Sequence, residues 1–407
     1  MVKNVILVND FAHIQGGADA VAITTAIALA RKGIHVIFFS AVLPVDKKLL
    51  DAKIDVICLG KEDILHDKNR INAIVKGIYD KSVEKSFINL LHLYSNKDTI
   101  VHIHTWTKAL SSAVFSVAGK MNFETVLTLH DFFTVCPNGG LFNYQKNELC
   151  RHKPMSCYCL LSNCDKRSYV QKQWRVIRQL AQNWNIGKIK KINLLAVSQK
   201  VANEVINYFP NRNVNIINLQ NPVGNFYQDV FDIKPDSAYL FMGRLEDEKC
   251  PELFCEAITK LGLKGIVVGD GSLKTNLQNK YPNIQFSGWL SGQDKLEVIK
   301  TCKCLVFTSK LYETFGLVVA EMKALGIPSI VPKESAAAEQ ITDGFDGITF
   351  QIGNLDSLCM ALERFEKMDL KEMLQNVRQS FDPTKNNEDT YVEHLMDIYE
   401  SILMKRC

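Results

Sequence analysis

The chain has 407 residues, enough for two or three domains. Apolar residues make up 47% and charged ones 23%, which excludes a disordered tail, a collagen-like fibre and a small disulfide-stapled module. The 48 basic and 44 acidic side chains leave +4, too little to point to nucleic acid, but the excess is uneven: residues 1–200 carry +12, residues 201–407 carry −8, and the block 151–200 holds 11 basic residues and one acid, Asp165.

The first residues, Met1 to Val8, read as a buried strand and not as a signal peptide, and no run of about 18 apolar residues suggests a membrane span. A cytoplasmic protein with mostly reduced cysteines is the expectation. Val5–Val8 is a strand, Ala18–Lys32 a helix, and Val36–Phe39, Ile54–Leu59, Ile100–His104 and Val126–His130 are further strands. Helical spacing over 168–184 puts Val170, Trp174, Ile177, Ala181 and Trp184 on one stripe, with Lys172 and Arg175 opposite and Arg178 at the margin. Such a basic helix with tryptophans either rests on an anionic membrane surface or, in the more usual arrangement, turns its apolar stripe to the core. After Leu194–Val197 the alternation restarts with Ala238–Met242, Gly265–Val268, Ile284–Phe286, Cys304–Thr308 and Ser329–Val331. Two doubly wound α/β domains fit this restart, with Asn221-Pro222-Val223-Gly224 as the linker. The expected boundaries are 1–222, 223–385, and a final helix, 386–407, that crosses back to the first domain.

Ligands of doubly wound sheets bind beyond strand C-termini, and four segments lie there. Gly16 and Gly17 open the first helix, where bare backbone and a helix N-terminus suit an anion. Gly243-Arg244-Leu245, with Lys249 five residues after the arginine, places a planar fork and a mobile point charge on one strand-to-helix turn, the pair that clamps a diphosphate. Gly269-Asp270-Gly271 allows close approach of a flat ligand. Glu313 and Glu321 bracket Thr314, Phe315, Gly316 and Leu317, so that one carboxylate lies in a loop and the other on the helix that starts near Gly316. Carboxylates accept from two hydroxyls at once, which suits sugars, and the amides of Phe315–Leu317 would face an anion.

These segments occur in one order with Thr128-Leu129-His130-Asp131, Ala196-Val197-Ser198, Asn221-Pro222-Val223 and Ala324-Leu325-Gly326-Ile327-Pro328. Together they resemble the retaining glycosyltransferases of family four. The run His130 to Pro137, with cysteines after it, is similar to bacterial enzymes that build O-antigen, capsule or other surface polysaccharide. The resemblance implies the GT-B fold, two Rossmann-like domains facing a central cleft, and transfer of a hexose-type sugar from a nucleotide diphosphate sugar, UDP first and GDP second. It implies that Arg244 and Lys249 neutralise the departing diphosphate, that Glu313 binds donor-sugar hydroxyls and Glu321 the ribose, and that His130 lies near the reacting carbon. Gly16 and Gly17 would approach the diphosphate, and Gly243, Gly269, Gly271 and Trp289 would line the donor pocket with Thr314, Phe315, Gly316 and Leu317. The family often has two glycines where this chain has Ala336-Ala337-Ala338 before Glu339. The implied acceptor is a glycan, often carried on a polyprenyl diphosphate at the cytoplasmic membrane face.

No Asp-x-Asp pair suggests a divalent ion, and two fixed cations can replace one, so no cofactor is expected in catalysis. Cys150, Cys157, Cys159 and Cys164 could hold a structural zinc, although Cys-x-Cys is awkward for one tetrahedral ion; reduced free thiols are the other reading. A nicotinamide oxidoreductase leaves Glu313 and Glu321 unexplained and lacks its N-terminal fingerprint. A non-catalytic sugar-nucleotide binder and a soluble-acceptor transferase of the sucrose or glycogen type remain open.

Overall fold

The computed structural model describes residues 1–210, 213–224, 231, 233–384 and 387–405. The chain divides into two compact units. The first comprises Met1–Leu141, Arg151–Pro222 and Asn386–Cys407, the second Phe142–Cys150 and Val223–Lys385. The expected turn-back point at 385/386 lies outside the described residues.

In the first unit the strands are β1 (Asn4–Phe11), β2 (His35–Val42), β3 (Asp55–Cys58), β4 (Thr99–Ile103) and β5 (Glu124–Leu129). A two-residue hairpin, β6 (Phe142–Asn143) with β7 (Glu148–Leu149), belongs to the second unit, and β8 (Ile192–Ala196) and β9 (Val214–Asn218) complete the first sheet. Its order is β3-β2-β1-β4-β5-β8-β9, parallel throughout. The near-continuous apolar runs of β1 and β4 are what a sheet covered on both faces requires. Its helices are α1 (Gly17–Arg31), α2 (Lys47–Asp51), α3 (Arg70–Ile78), α4 (Lys81–Leu91), α5 (Ala113–Lys120), α6 (Cys157–Leu161), α7 (Tyr169–Ile186) and α8 (Gln199–Ile206).

The second unit repeats the plan with β10 (Ala238–Met242), α9 (Pro251–Lys260), β11 (Gly265–Val268), α10 (Lys274–Lys280), β12 (Gln285–Gly288), α11 (Gly292–Ile299), β13 (Cys302–Val306), α12 (Leu317–Ala324), β14 (Ser329–Pro332), β15 (Gly347–Phe350), α13 (Leu355–Glu366) and α14 (Leu370–Ser380). The parallel order is β12-β11-β10-β13-β14-β15. Apolar layers cover it on both faces: Phe254, Ile258, Leu358 and Leu362 on one, Leu325, Ile299 and Met322 on the other. In each sheet the winding reverses between the first strand and the fourth, β1/β4 and β10/β13, which opens a crevice at the strand C-termini.

The last helix, α15 (Glu388–Met404), packs in the core of the first unit. Tyr391, Val392, Leu395, Tyr399, Ile402 and Leu403 are buried, each contributing about 1.5–3 kcal/mol by apolar transfer. The Tyr391 and Thr25 hydroxyls meet at 3.1 Å, and Glu388 pairs with Arg31 at 2.6 Å.

One expected orientation is reversed. In α7 the polar side chains turn inward: Lys172, Arg178, Gln179, Gln182 and Asn185 are buried, whereas Val170, Ile177 and Trp184 are exposed. The cause is a set of backbone carbonyls that need donors. Arg178 donates to Thr107 O at 3.2 Å, Gln179 to Thr134 O at 3.1 Å, and Gln182 to Phe133 O at 2.7 Å. The long connections around α7 would otherwise bury unsatisfied carbonyls, so the polar face wins the interior.

Candidate functional site

The crevice of the second sheet is built from two loops that hold each other. After β10 come Gly243 and Arg244, then a single turn, Asp247–Lys249. After β13, which ends two residues earlier than the spacing suggested, Thr308 and Ser309 leave the strand and reach that turn. The Thr308 hydroxyl lies 3.0 Å from Lys249 O and 2.8 Å from Cys250 O, and Lys310 N donates to Glu248 O at 2.9 Å. Lys249 Nζ thereby stands 2.5 Å from Glu313 Oε1, and the Ser309 hydroxyl donates to the same oxygen at 2.5 Å. Glu313 sits at φ +50°, a strained backbone for a side chain of this size, which a tight local constraint must hold. Burial by itself would raise the Glu313 pKa, but Lys249 and Ser309 outweigh it and hold the carboxyl below its ordinary range.

Arg244 differs from Lys249. Its Nη2 lies 3.5 Å from Glu248 Oε1, but the side chain is 61% exposed and projects from the turn. Each cation thus has a carboxylate beside it, and the four formal charges cancel. What the turn offers an anion is directed donors, since Lys249 keeps donors beyond the one given to Glu313. Glu321, on α12, pairs with Lys295 of α11 at 3.0 Å.

Gly269 and Gly271 have a duty within the fold itself. Gly269 has φ +147°, and a Cβ there would lie 1.8 Å from Gly243 O; one on Gly271, at φ +158°, would lie 2.5 Å from Leu245 O. The close approach these residues permit is that of the neighbouring loop, joined by Leu245 N to Asp270 O at 2.9 Å and Gly243 N to Val268 O at 3.0 Å. Gly243 itself has room for a Cβ. Trp289, just past β12, is 68% exposed. Phe315 is buried, and Gly316 begins α12 at φ +84° with no side-chain cap on that end. Its carbonyl and that of Phe315 accept from the Gln340 amide. Ala337 fills the space over Gly316, so the alanines in place of glycines are packed against this helix start. Thr314 and Leu317 lie on the same segment.

Gly16, Gly17 and His130 lie in the first unit. Gly16 is extended at φ −170°, and a Cβ there would meet nothing, so the fold itself makes no demand for glycine. Beneath that loop Asp19 is buried, accepting from Asn9 Nδ2 at 2.9 Å and Gln15 N at 3.2 Å, and burial pushes its pKa up. Asp10 accepts from the successive amides of Lys108, Ala109 and Leu110 at 2.8–2.9 Å and so fixes the loop after β4. His104, the residue after β4, holds His130 through Nδ1 to Nε2 at 2.8 Å. Asp131 follows His130, and burial pushes its carboxyl up to about 6. Sequence reasoning did not single out Asn9, Asp10, Asp19 and His104, which hold the loops beyond β1 and β4 and the His130 ring; polar residues at the C-terminal ends of apolar strands were the available signal.

His102 is fully buried between the Tyr399 hydroxyl at 2.6 Å and the Thr128 hydroxyl at 2.7 Å, and burial, with His130 nearby, lowers its pKa to about 3. Unfolded, it takes up a proton below about 6.5, which the native chain refuses until about pH 3. Its contribution is therefore complete above pH 6.5 and lost as pH falls. The buried carboxyls Asp10 and Asp131, with raised pKa values, act in the opposite sense. Comparison with His102→Gln isolates the histidine: from pH 6.5 to 5 the variant gains about 2 kcal/mol relative to the native chain in urea unfolding. A pH-independent difference refutes the assignment.

The cysteines are not gathered as a zinc set. Among the described residues no three His, Cys, Asp or Glu side chains are placed to hold one ion, and every cysteine is a free thiol. Cys157 and Cys159 share α6, where residues two apart point about 200° from each other. Cys157 is exposed, Cys159 and Cys164 are buried, and Cys150 lies in the other unit. The cation among the inner thiols is the fully buried Lys172, whose Nζ lies 3.5 Å from Cys159 Sγ.

Residues 227–381 match the family model described as Glycosyl transferases group 1. The chain contains a group 1 glycosyltransferase domain. Its match covers the second unit, where the Arg244–Lys249 turn, Glu313 and Glu321 lie. Over 112 residues the chain is 28% identical to the GDP-mannose-dependent alpha-mannosyltransferase of Corynebacterium glutamicum, covering 28% of this chain and 27% of that one. Over 156 residues it is 26% identical to the UDP-Gal:alpha-D-GlcNAc-diphosphoundecaprenol alpha-1,3-galactosyltransferase of Escherichia coli, covering 35% and 40%. The chain thus spans well under two thirds of either relative. The solved structure of Anabaena Alr3699/HepE in complex with UDP and glucose has a TM-score of 0.64 at 13% identity, covering 98% of this chain and 100% of that one. The two parallel-sheet domains have the GT-B fold.

Proposed function

We propose that this glycosyltransferase transfers a hexose-type sugar from a nucleotide diphosphate sugar, UDP-linked, to a glycan on a lipid carrier, with retention and without a metal ion, in the building of a bacterial surface polysaccharide. The observation that carries the reading is the Arg244–Lys249–Glu313 arrangement at the switch point of the second sheet. Negative charge grows on the departing diphosphate, and fixed donors there do what a divalent ion does elsewhere, at about 3–4 kcal/mol for each donor. Arg244 and Lys249 are those donors, and Glu313 orients the lysine while its second oxygen is offered to sugar hydroxyls.

Retention is supported from two sides. The names of both relatives give an alpha linkage to the transferred sugar, which is the retained configuration when the donor sugar is α-linked to its diphosphate. Glu313, ion-paired and hydrogen-bonded on one oxygen, is a poor nucleophile, which favours same-face attack with the leaving phosphate taking the acceptor proton over a double displacement. The lipid-carried acceptor is supported by the diphosphoundecaprenol substrate in the E. coli relative's name. No helix among the described residues is long and apolar enough to cross a membrane.

A thermal-shift panel tests the donor. UDP and UDP-sugars at a hundred times Kd raise stability by about 2.7 kcal/mol, whereas GDP, GDP-mannose and ADP raise it less. A shift with GDP and none with UDP overturns the base assignment. No shift with any nucleotide overturns the donor reading itself.

A further inference from the structure

The outward face of α7 is the feature that the transfer chemistry leaves unused. Val170, Ile177 and Trp184 recur every seven residues and therefore line one side of the helix, with Val170 78% and Trp184 75% exposed. This exposure follows from the inward turn of the polar face, so the apolar stripe has no place in the core. On a wheel of 100° per residue, Trp174 and Gln173 lie on opposite sides of that stripe. Trp174 meets α3, with its Nε1 donating to Ile74 O at 3.1 Å and its ring against Gly77. Gln173 meets α6, donating to Leu160 O at 3.0 Å. Both neighbours add to the exposed apolar surface, α3 with Ile71 and Val75 and α6 with Leu161.

Charge decides what covers this surface. Lys166 and Arg167 precede α7, Lys190 and Lys191 follow it, Arg151 and Lys153 precede α6, and all six are exposed. The one acid of the block, Asp165, is buried and ion-paired with Arg175 at 2.7 Å. An apolar stripe carrying a tryptophan, fringed by cations with no exposed acid in residues 151–200, matches an anionic bilayer interface: the apolar side chains enter the headgroup–acyl boundary and the cations stay at the phosphates. A second copy of the chain would bring six like charges against six.

We infer that α7, bordered by α3 and α6, is a membrane-docking surface that seats the first unit on an anionic bilayer. The inference deepens the reading of a lipid-carried acceptor, since it gives the enzyme a way to meet a diphosphate at the membrane face. Docking is read without donor or acceptor, so it stands or falls apart from that reading, and failure to glycosylate a polyprenyl-linked acceptor would count against the acceptor alone.

The test is co-sedimentation of the full chain with phosphatidylcholine vesicles containing about 30 mol% phosphatidylglycerol, and with phosphatidylcholine alone. The native chain binds the anionic vesicles, and binding weakens as salt rises. A V170Q/I177Q/W184Q variant binds at least about tenfold more weakly, and K166Q/R167Q loses much of the salt dependence. Tryptophan emission shifts to shorter wavelength on vesicle addition, and W184F abolishes most of that shift. The triple variant keeps its nucleotide thermal shift, which shows that the fold is intact. Vesicle binding unchanged in the triple variant overturns the proposal. So does the absence of binding to anionic vesicles, or a native dimer that the triple variant converts to monomer.

Discussion

Lys249→Ala lowers kcat by about 100-fold, the usual cost of removing one preorganised donor from a developing negative charge. It also leaves Glu313, which that ammonium touches, as a part-buried carboxylate without its ion pair, still accepting from Ser309. Breaking a fully buried pair from one side costs about 3–5 kcal/mol; this pair is part-buried, so the cost is smaller, and the variant melts earlier by that smaller amount. Lys249→Ala/Glu313→Gln separates the effects: it removes the orphaned charge and recovers most of the stability, while turnover stays low. Arg244→Ala gives the complementary pattern. Its side chain is mostly exposed and its contact with Glu248 is 3.5 Å, so stability moves by less than about 0.5 kcal/mol. Turnover falls at least about tenfold. Near-native kcat in both single variants, measured as release of nucleoside diphosphate, removes the clamp from the mechanism.

Gly269→Ala unfolds the second unit or costs more than about 4 kcal/mol, in the range reserved for a named steric cause. The added Cβ would meet a backbone oxygen at 1.8 Å, at a φ of +147° that side chains rarely adopt, and neither loop can move because the pair is joined by main-chain hydrogen bonds. Gly243→Ala and Gly16→Ala are the controls. A Cβ at Gly243 comes no nearer than 3.8 Å to any atom, and one at Gly16 meets nothing within 4 Å, so each costs about 1 kcal/mol or less. Soluble yield and thermal midpoints of the three variants check the contrast. A Gly269→Ala protein as stable as the controls would falsify the close approach of the loops.

The legible part of the fold was its alternation. Strands with unbroken apolar runs, such as Ala238–Met242 and Gly265–Val268, coincide with β10 and β11 because a parallel sheet buried on both faces leaves no polar position to blur the pattern. The edge strands β9 and β15 escaped notice for the converse reason: Val-Asn-Ile-Ile-Asn is half polar, and the four residues Gly347–Phe350 follow a glycine turn. In the site, Arg244, Lys249 and Glu313 were legible from order and spacing. Their ion pair was not, since it depends on how far the loop after β13 leans toward the turn after β10. His104, Asp10 and Asp19 were hidden because each acts through a partner distant in sequence or across a turn.

The sequence by itself determined the two doubly wound units, the cations and carboxylates beyond the strand ends, and the excess positive charge of residues 151–200. Only the tertiary structure decided which way α7 faces. Periodicity reports that a helix has two unlike sides, but not which side is buried. That choice depends on whether the surrounding backbone carbonyls find donors, and here they find them in Arg178, Gln179 and Gln182. The same dependence on distant partners places Lys172 among the thiols and the Gly243–Leu245 backbone against Gly269 and Gly271.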